Sequence, residues 1–323
     1  MKKKENRVNI VEVSPRDGLP AISEGTSTAD KIKYINSLVN AGMKKIECVA
    51  FTHPRLMPEN ADAEQIMAGI SRTSDVTYIG LVSNEIGCRR ALAAGIDEIL
   101  TLVATSETYN QLSVGKSKKE TLHKILPAII EASNKMNKPV RCYIQTAFGC
   151  PYTGHVPLDE LLQLFLKLTY LGAAEIALLD STGMANPRQV NEYVKKILDL
   201  DSNVNLSVHF HNTRGTAIAN CIAAYDAGIR TFYTSIGGLS GTPYGAKELD
   251  FGYWNVPTED LVHLFHEMGI DTGLDIDLLL ECVTIAEALA GKPLPGHLLR
   301  ANLNTRLTDM SDLSKKLTYR QFQ

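Results

Sequence analysis

No run in this chain approaches the roughly 20 apolar residues that a membrane-spanning helix needs. The N-terminus lacks a signal-peptide apolar region, since Val8 to Val13 already reads as a strand. No Cys-x-x-Cys pair occurs: Cys48, Cys88, Cys142, Cys150, Cys221 and Cys282 are scattered through apolar patterns. That scatter reads as reduced, buried thiols in a cytoplasmic protein. Neither sign of charge dominates, with a formal net charge of -3 over 323 residues. Neither nucleic acid nor an acidic membrane surface is therefore expected as a partner. The short run Lys2-Lys3-Lys4 is followed by Glu5 and reads as a solvated terminus. A G-x-G-x-x-G turn after the first strand is also missing, which disfavours a doubly wound dinucleotide-binding sheet.

What the chain does have is regular alternation. Strand-like runs fall at Val8 to Val13, Lys45 to Phe51, Val76 to Val82, Glu98 to Ala104, Val140 to Thr146, Glu175 to Leu179, Leu206 to His211 and Thr231 to Ile236. Helical patterns follow them near Thr28 to Ala41, Ala61 to Ile70, Glu85 to Ala94, after Ser117, Leu158 to Leu171, after Asn186-Pro187, up to Ala227, and Glu259 to Met268. Ser117-Lys118-Lys119-Glu120 has the form of a capping box. Gly42, Gly95, Gly172 and Gly228 each stand about three residues before a strand, where a left-handed residue stops the preceding helix. Eight such units predict an α/β fold, a (β/α)8 TIM barrel over residues 1–274. Residues 275–323 read as a C-terminal extension packed on it, with a helix near Ile276 to Ala290.

In such barrels the chemistry gathers where strands run into the following helices. Those positions are unusually polar here. His209 and His211 alternate along the seventh strand, so they project to one face and can chelate one ion. Two core histidines bonded to backbone would give the same pattern. Asp17 adds a carboxylate, and two imidazoles with a carboxylate suit Mg2+, Mn2+, Fe2+ or Zn2+. Arg16, beside Asp17, could hold a developing enolate oxygen, or pair structurally with Asp180. Glu47 could be a buried ion-pair partner. Gln145 closes the fifth strand.

These residues carry a resemblance. Val11-Glu12-Val13-Ser14-Pro15-Arg16-Asp17-Gly18-Leu19 resembles the first-strand signature of 3-hydroxy-3-methylglutaryl-CoA lyase and its relatives, metal-dependent lyase and synthase barrels. It continues through Ile46-Glu47, Ala147 to Tyr152, Asp180-Ser181-Thr182-Gly183, His209-Phe210-His211 and Asn255 to Leu261. The resemblance implies Asp17, His209, His211 and Asn255 as ligands of a divalent cation, Mg2+ or Mn2+ above all. It implies Arg16 as stabiliser of the departing enolate, Glu47 as support of the metal shell and Asp180 as a participant in moving the substrate's hydroxyl proton. The implied reaction is retro-Claisen cleavage of a hydroxyacyl-CoA to a keto acid and acetyl-CoA. A condensing or decarboxylating relative, with Tyr244, His53 and Asp180 as acid–base groups, is the alternative, and a non-catalytic metal or acyl-CoA binding protein a third. Some family members are homodimers.

The chain also departs from the family. Thr242 stands where the lyases carry a catalytic cysteine, and a hydroxyl is a far weaker acid than a thiol. The loop before Asn255 is longer and holds Tyr244 and Lys247; Lys247 is a candidate contact for a phosphate or carboxylate. Pro20 and Arg214 replace a glutamine and a tyrosine. The changes cluster around the substrate, so a diverged acyl group is expected on an intact metal site.

Overall fold

The computed structural model describes residues 6–19, 26–53, 55, 57–241 and 254–303. Eight parallel strands form the barrel: β1 (Asn9–Glu12), β2 (Lys45–Ala50), β3 (Thr77–Leu81), β4 (Glu98–Ala104), β5 (Val140–Gln145), β6 (Glu175–Asp180), β7 (Leu206–Phe210) and β8 (Thr231–Thr234). Each pairs with its neighbours in sequence, and β8 closes the ring on β1. The expected (β/α)8 architecture is the one observed.

Both faces of the strands are covered, so they read as near-continuous apolar runs. Alternation then decides which way each side chain points. Val11, Ile79, Leu100, Tyr143, Leu179 and Tyr233 fill the interior. Their neighbours Ile10, Tyr78, Ile99, Cys142, Leu178 and Phe232 pack outward on the helices. Beneath the apolar layer lies a polar one. Arg141 pairs with Glu98 and Glu175, and it donates to the Tyr233 hydroxyl at 2.9 Å. That hydroxyl donates in turn to Glu175 Oε1 at 2.7 Å, which fixes the Tyr233 ring from below.

Helix ends follow their local signals. Ser117 Oγ accepts the Glu120 amide at 3.1 Å, and Asn186 Oδ1 accepts that of Gln189 at 3.1 Å. The four expected helix-stopping glycines all take positive φ, from 80° at Gly95 to 119° at Gly228. Three features were not expected. A short helix, Ser14–Asp17, follows β1 where a loop was read. A helix, Glu107–Val114, precedes Ser117. The helix after Ser117 widens to a π turn over Thr121–Ile125. Pro127 explains the last: it has no N–H for the carbonyl four residues back, and its ring would strike that carbonyl in a regular turn.

The helix Ile276–Ala290 packs against the helices Thr28–Asn40 and Thr258–Glu267. Its Leu279, Val283 and Ala286 join the same core as the barrel helices. No helix among the described residues is long and apolar enough to cross a membrane. All six cysteines are buried and free.

Candidate metal and active site

The site is assembled at the C-terminal ends of β1, β2, β5, β7 and β8. After β1 the chain turns into Ser14–Asp17, with Pro15 in the first turn where no amide partner is needed. That turn aims Arg16 and Asp17 over the barrel mouth. Arg16 Nε donates to Glu47 Oε2 at 2.7 Å, Nη2 donates to the same oxygen, and Nη1 reaches Asp17 Oδ1 at 2.6 Å. Arg16 therefore pairs with Glu47 and Asp17, not with Asp180. Burial works against the Arg16 charge, but Glu47 and Asp17 outweigh it and hold the guanidinium protonated. Tyr143, on the inner face of β5, donates its hydroxyl to Glu47 Oε1.

His209 lies on the inner face of β7. Its ring stacks on Tyr233 with centroids 5.8 Å apart and meets Tyr143 edge-on at 5.4 Å. His211 stands one step beyond the strand and bridges to Asn255, where the chain returns from the loop after β8. Asn255 joins the two sides. Its Oδ1 is 2.7 Å from His209 Nε2, and its Nδ2 donates to Asp17 Oδ2 and to the Leu239 carbonyl, each at 2.8 Å. Ser240 Oγ adds a 3.2 Å bond to Asp17 Oδ2.

Asp17, His209 and His211 offer ligand atoms that all lie within 4.8 Å of one another. Burial, joined at His209 by the neighbouring ring, pushes the imidazoles down to about 3 (His209) and about 4 (His211). Burial would raise Asp17, but Arg16 and the histidines overcome it and keep it ionised. The group thus presents neutral nitrogens and an anionic oxygen, the protonation states that metal binding requires. Among the described residues neither Nδ1 atom, both buried, has a hydrogen-bond partner. Orphaned buried nitrogens are costly in an ordinary core, so the donor set fits a divalent ion better than it fits two core histidines.

Other expected residues are placed less uniformly. Gln145 sits inside the mouth, two residues beyond Tyr143 on the same face, and its Oε1 accepts the Ser113 hydroxyl at 2.7 Å. Asp180 lies on the other face of its strand. Leu179 points inward, so Asp180 points out, and its two oxygens accept the amides of Met184 and Ala185 at 2.8 and 3.0 Å. It braces the turn after its own strand instead of reaching the cluster. His53 is exposed and accepts the Arg55 amide, outside the cluster. Thr242, Tyr244 and Lys247 lie outside the described residues. Sequence reasoning left Tyr143, Tyr233 and Ser240 unassigned. Tyr143 was open to period-two reasoning from Gln145, whereas Ser240 gave no signal beyond its loop.

Comparison with known proteins identifies the family and agrees with the fold. The family model described as HMGL-like matches residues 7–285. Hydroxymethylglutaryl-CoA lyase of Bacillus subtilis is 39% identical over 294 residues, covering 91% of this chain and 97% of that one. (R)-citramalyl-CoA lyase of Chloroflexus aurantiacus is 33% identical over 298 residues, covering 89% and 92%. Among solved structures, an HMG-CoA lyase from Acinetobacter baumannii, in complex with coenzyme A and 3-methylmalate, superposes with a TM-score of 0.90. It is 35% identical, and the match covers 96% of this chain and 99% of that chain.

Proposed function

Because the chain belongs to the HMGL-like family, we propose that it is a divalent-metal-dependent carbon–carbon lyase cleaving a 3-hydroxy-3-methylglutaryl-CoA-like thioester to a keto acid and acetyl-CoA. The observation that carries this reading is the Asp17–His209–His211 cluster with Arg16 held against its rim.

Asp17, His209, His211 and the Asn255 side-chain oxygen are the proposed ligands, and Mg2+ or Mn2+ the proposed ion. Such an ion would supply Lewis acidity toward the substrate's oxygens. The chain's own residues do the remainder. Water at the barrel mouth takes the hydroxyl proton, the bond between the carbinol carbon and the thioester's α-carbon breaks, and its electron pair becomes the acetyl-CoA enolate. A proton returned to that carbon completes acetyl-CoA. Arg16 faces the developing enolate charge, and Glu47 and Tyr143 keep its guanidinium in place before the reaction begins, so little reorganisation is needed. Gln145 is proposed to contact the substrate's acyl end. Thr242, at the family's catalytic-cysteine position, is proposed as a catalytic residue, and Tyr244 and Lys247 are proposed as substrate contacts. Residues 1–274 are the proposed catalytic barrel and 275–323 its extension. A cytoplasmic homodimer is the proposed working form.

The acyl group is the open choice, since relatives of similar identity are named for different hydroxyacyl-CoAs. Acetyl-CoA release should be followed with 3-hydroxy-3-methylglutaryl-CoA and with citramalyl-CoA in Mn2+. Chelator-sensitive release from either upholds the lyase reading and selects the substrate. No release from these or from longer-branched analogues would defeat it.

A further inference from the structure

Glu12 lies just below the site, on the outward face of β1, and is fully buried. No basic side chain among the described residues forms an ion pair with it. Its Oε1 instead accepts the Ser14 amide at 2.9 Å and the Ile236 amide at 3.0 Å. Its Oε2 accepts the Thr258 hydroxyl at 2.6 Å, and that hydroxyl also touches Thr234 Oγ1 at 2.7 Å. These donors belong to separate segments of the chain. Ser14 opens the turn that carries Arg16 and Asp17. Ile236 opens the turn that leads to Ser240. Thr258 begins the helix that directly follows Asn255.

We infer that Glu12 is a positioning residue: one carboxylate that sets the mutual placement of Asp17, Ser240 and Asn255, and so the geometry of the proposed metal site. This rests on the metal reading above and deepens it. Each of those three side chains is joined to the next by hydrogen bonds, but those bonds are made by groups that rotate. Ser14 and Ile236 are tied to Glu12 through their backbone amides, and their paths into the site are short. A shift of about an ångström at the Ser14 amide would move Asp17 away from Asn255, and one at the Ile236 amide would move Ser240 away from Asp17. Outer-shell partners of metal ligands characteristically hold affinity in this way.

The test measures Mn2+ binding by electron paramagnetic resonance, alongside thermal melting in chelator, on the full chain. Glu12→Ala leaves two backbone amides without an acceptor and should weaken Mn2+ about tenfold or more. Glu12→Gln keeps one oxygen for the two amides and can turn its NH2 to the Thr258 hydroxyl, which can accept. It should restore affinity to within about threefold of the unsubstituted protein. Ile197→Ala, a buried change on the helix Pro187–Leu200, supplies a comparable melting loss far from the site. It should leave Mn2+ affinity within about twofold. Should Glu12→Ala not fold, Thr258→Val reads the same contact, with Mn2+ weakened about threefold or more.

The inference is overturned if Glu12→Ala or its substitute binds Mn2+ normally, if Ile197→Ala weakens it equally, or if Glu12→Gln restores nothing. No Mn2+ binding by the unsubstituted protein would defeat the metal reading itself, and this inference with it.

Discussion

Asn255 holds Asp17 from the far side of the cluster: its Nδ2 donates to Asp17 Oδ2 at 2.8 Å, while Arg16 holds the other carboxylate oxygen at 2.6 Å. Both oxygens of Asp17 are thus aimed by fixed partners. Asn255→Ala removes the bond to Asp17 and the proposed amide ligand together. Mn2+ affinity should fall about 10–100-fold, with less change in melting temperature measured in chelator. Calorimetric titration checks it; unchanged affinity would take Asn255 out of the site.

Arg16 supports two predictions of different kind. Arg16→Lys keeps a charge but loses the fork that spans Glu47 and Asp17. We expect kcat to fall about 10²–10³-fold with a much smaller change in KM, because the interaction is made chiefly in the transition state. Arg16→Met instead leaves Glu47 buried without its cation, and should cost about 3–5 kcal/mol in urea unfolding.

Tyr143→Phe removes one hydroxyl from Glu47 and leaves the ring against His209. The loss in unfolding free energy should be about 1.5–3 kcal/mol, the range for a hydrogen bond to a charged group. A loss below measurement would mean that Glu47 finds another donor.

Glu259 predicts a pH effect on stability. It is fully buried, Oε2 accepts the Gly237 amide at 3.0 Å, and Oε1 has no hydrogen-bond partner among the described residues. Burial, with Asp260 nearby, pushes its carboxyl up to about 8. A raised pKa means that the folded state holds the proton more tightly than the unfolded chain. The contribution is complete below the ordinary carboxyl range and is lost as pH rises toward about 8. Urea unfolding at pH 5 and pH 8 should show the loss, and Glu259→Gln should flatten it. Equal slopes in both proteins would assign the effect elsewhere.

Much of this was legible from sequence, for identifiable reasons. Strand β4 and the helices Leu158–Leu171 and Ile276–Ala290 stand where the pattern put them, because their apolar periodicity agrees with their stop and start signals. The His209–His211 pair follows from strand alternation alone. Alternation also orients Asp180: Leu179 faces in, so the next side chain faces out, onto the Ala185 amide. The short turn Ser14–Asp17 was not legible, since four residues are too few to show a helical period. Nor was the role of Glu12, whose partners lie 2, 224 and 246 residues away along the chain.

The most direct test strips the protein of metal and titrates Mn2+ back while following acetyl-CoA release from the hydroxyacyl-CoA it cleaves best. Activity should rise in step with one tightly bound Mn2+ per chain, and Asp17→Asn should lose both the binding and the release. Full cleavage in chelator, or Mn2+ bound equally well by Asp17→Asn, would contradict the account.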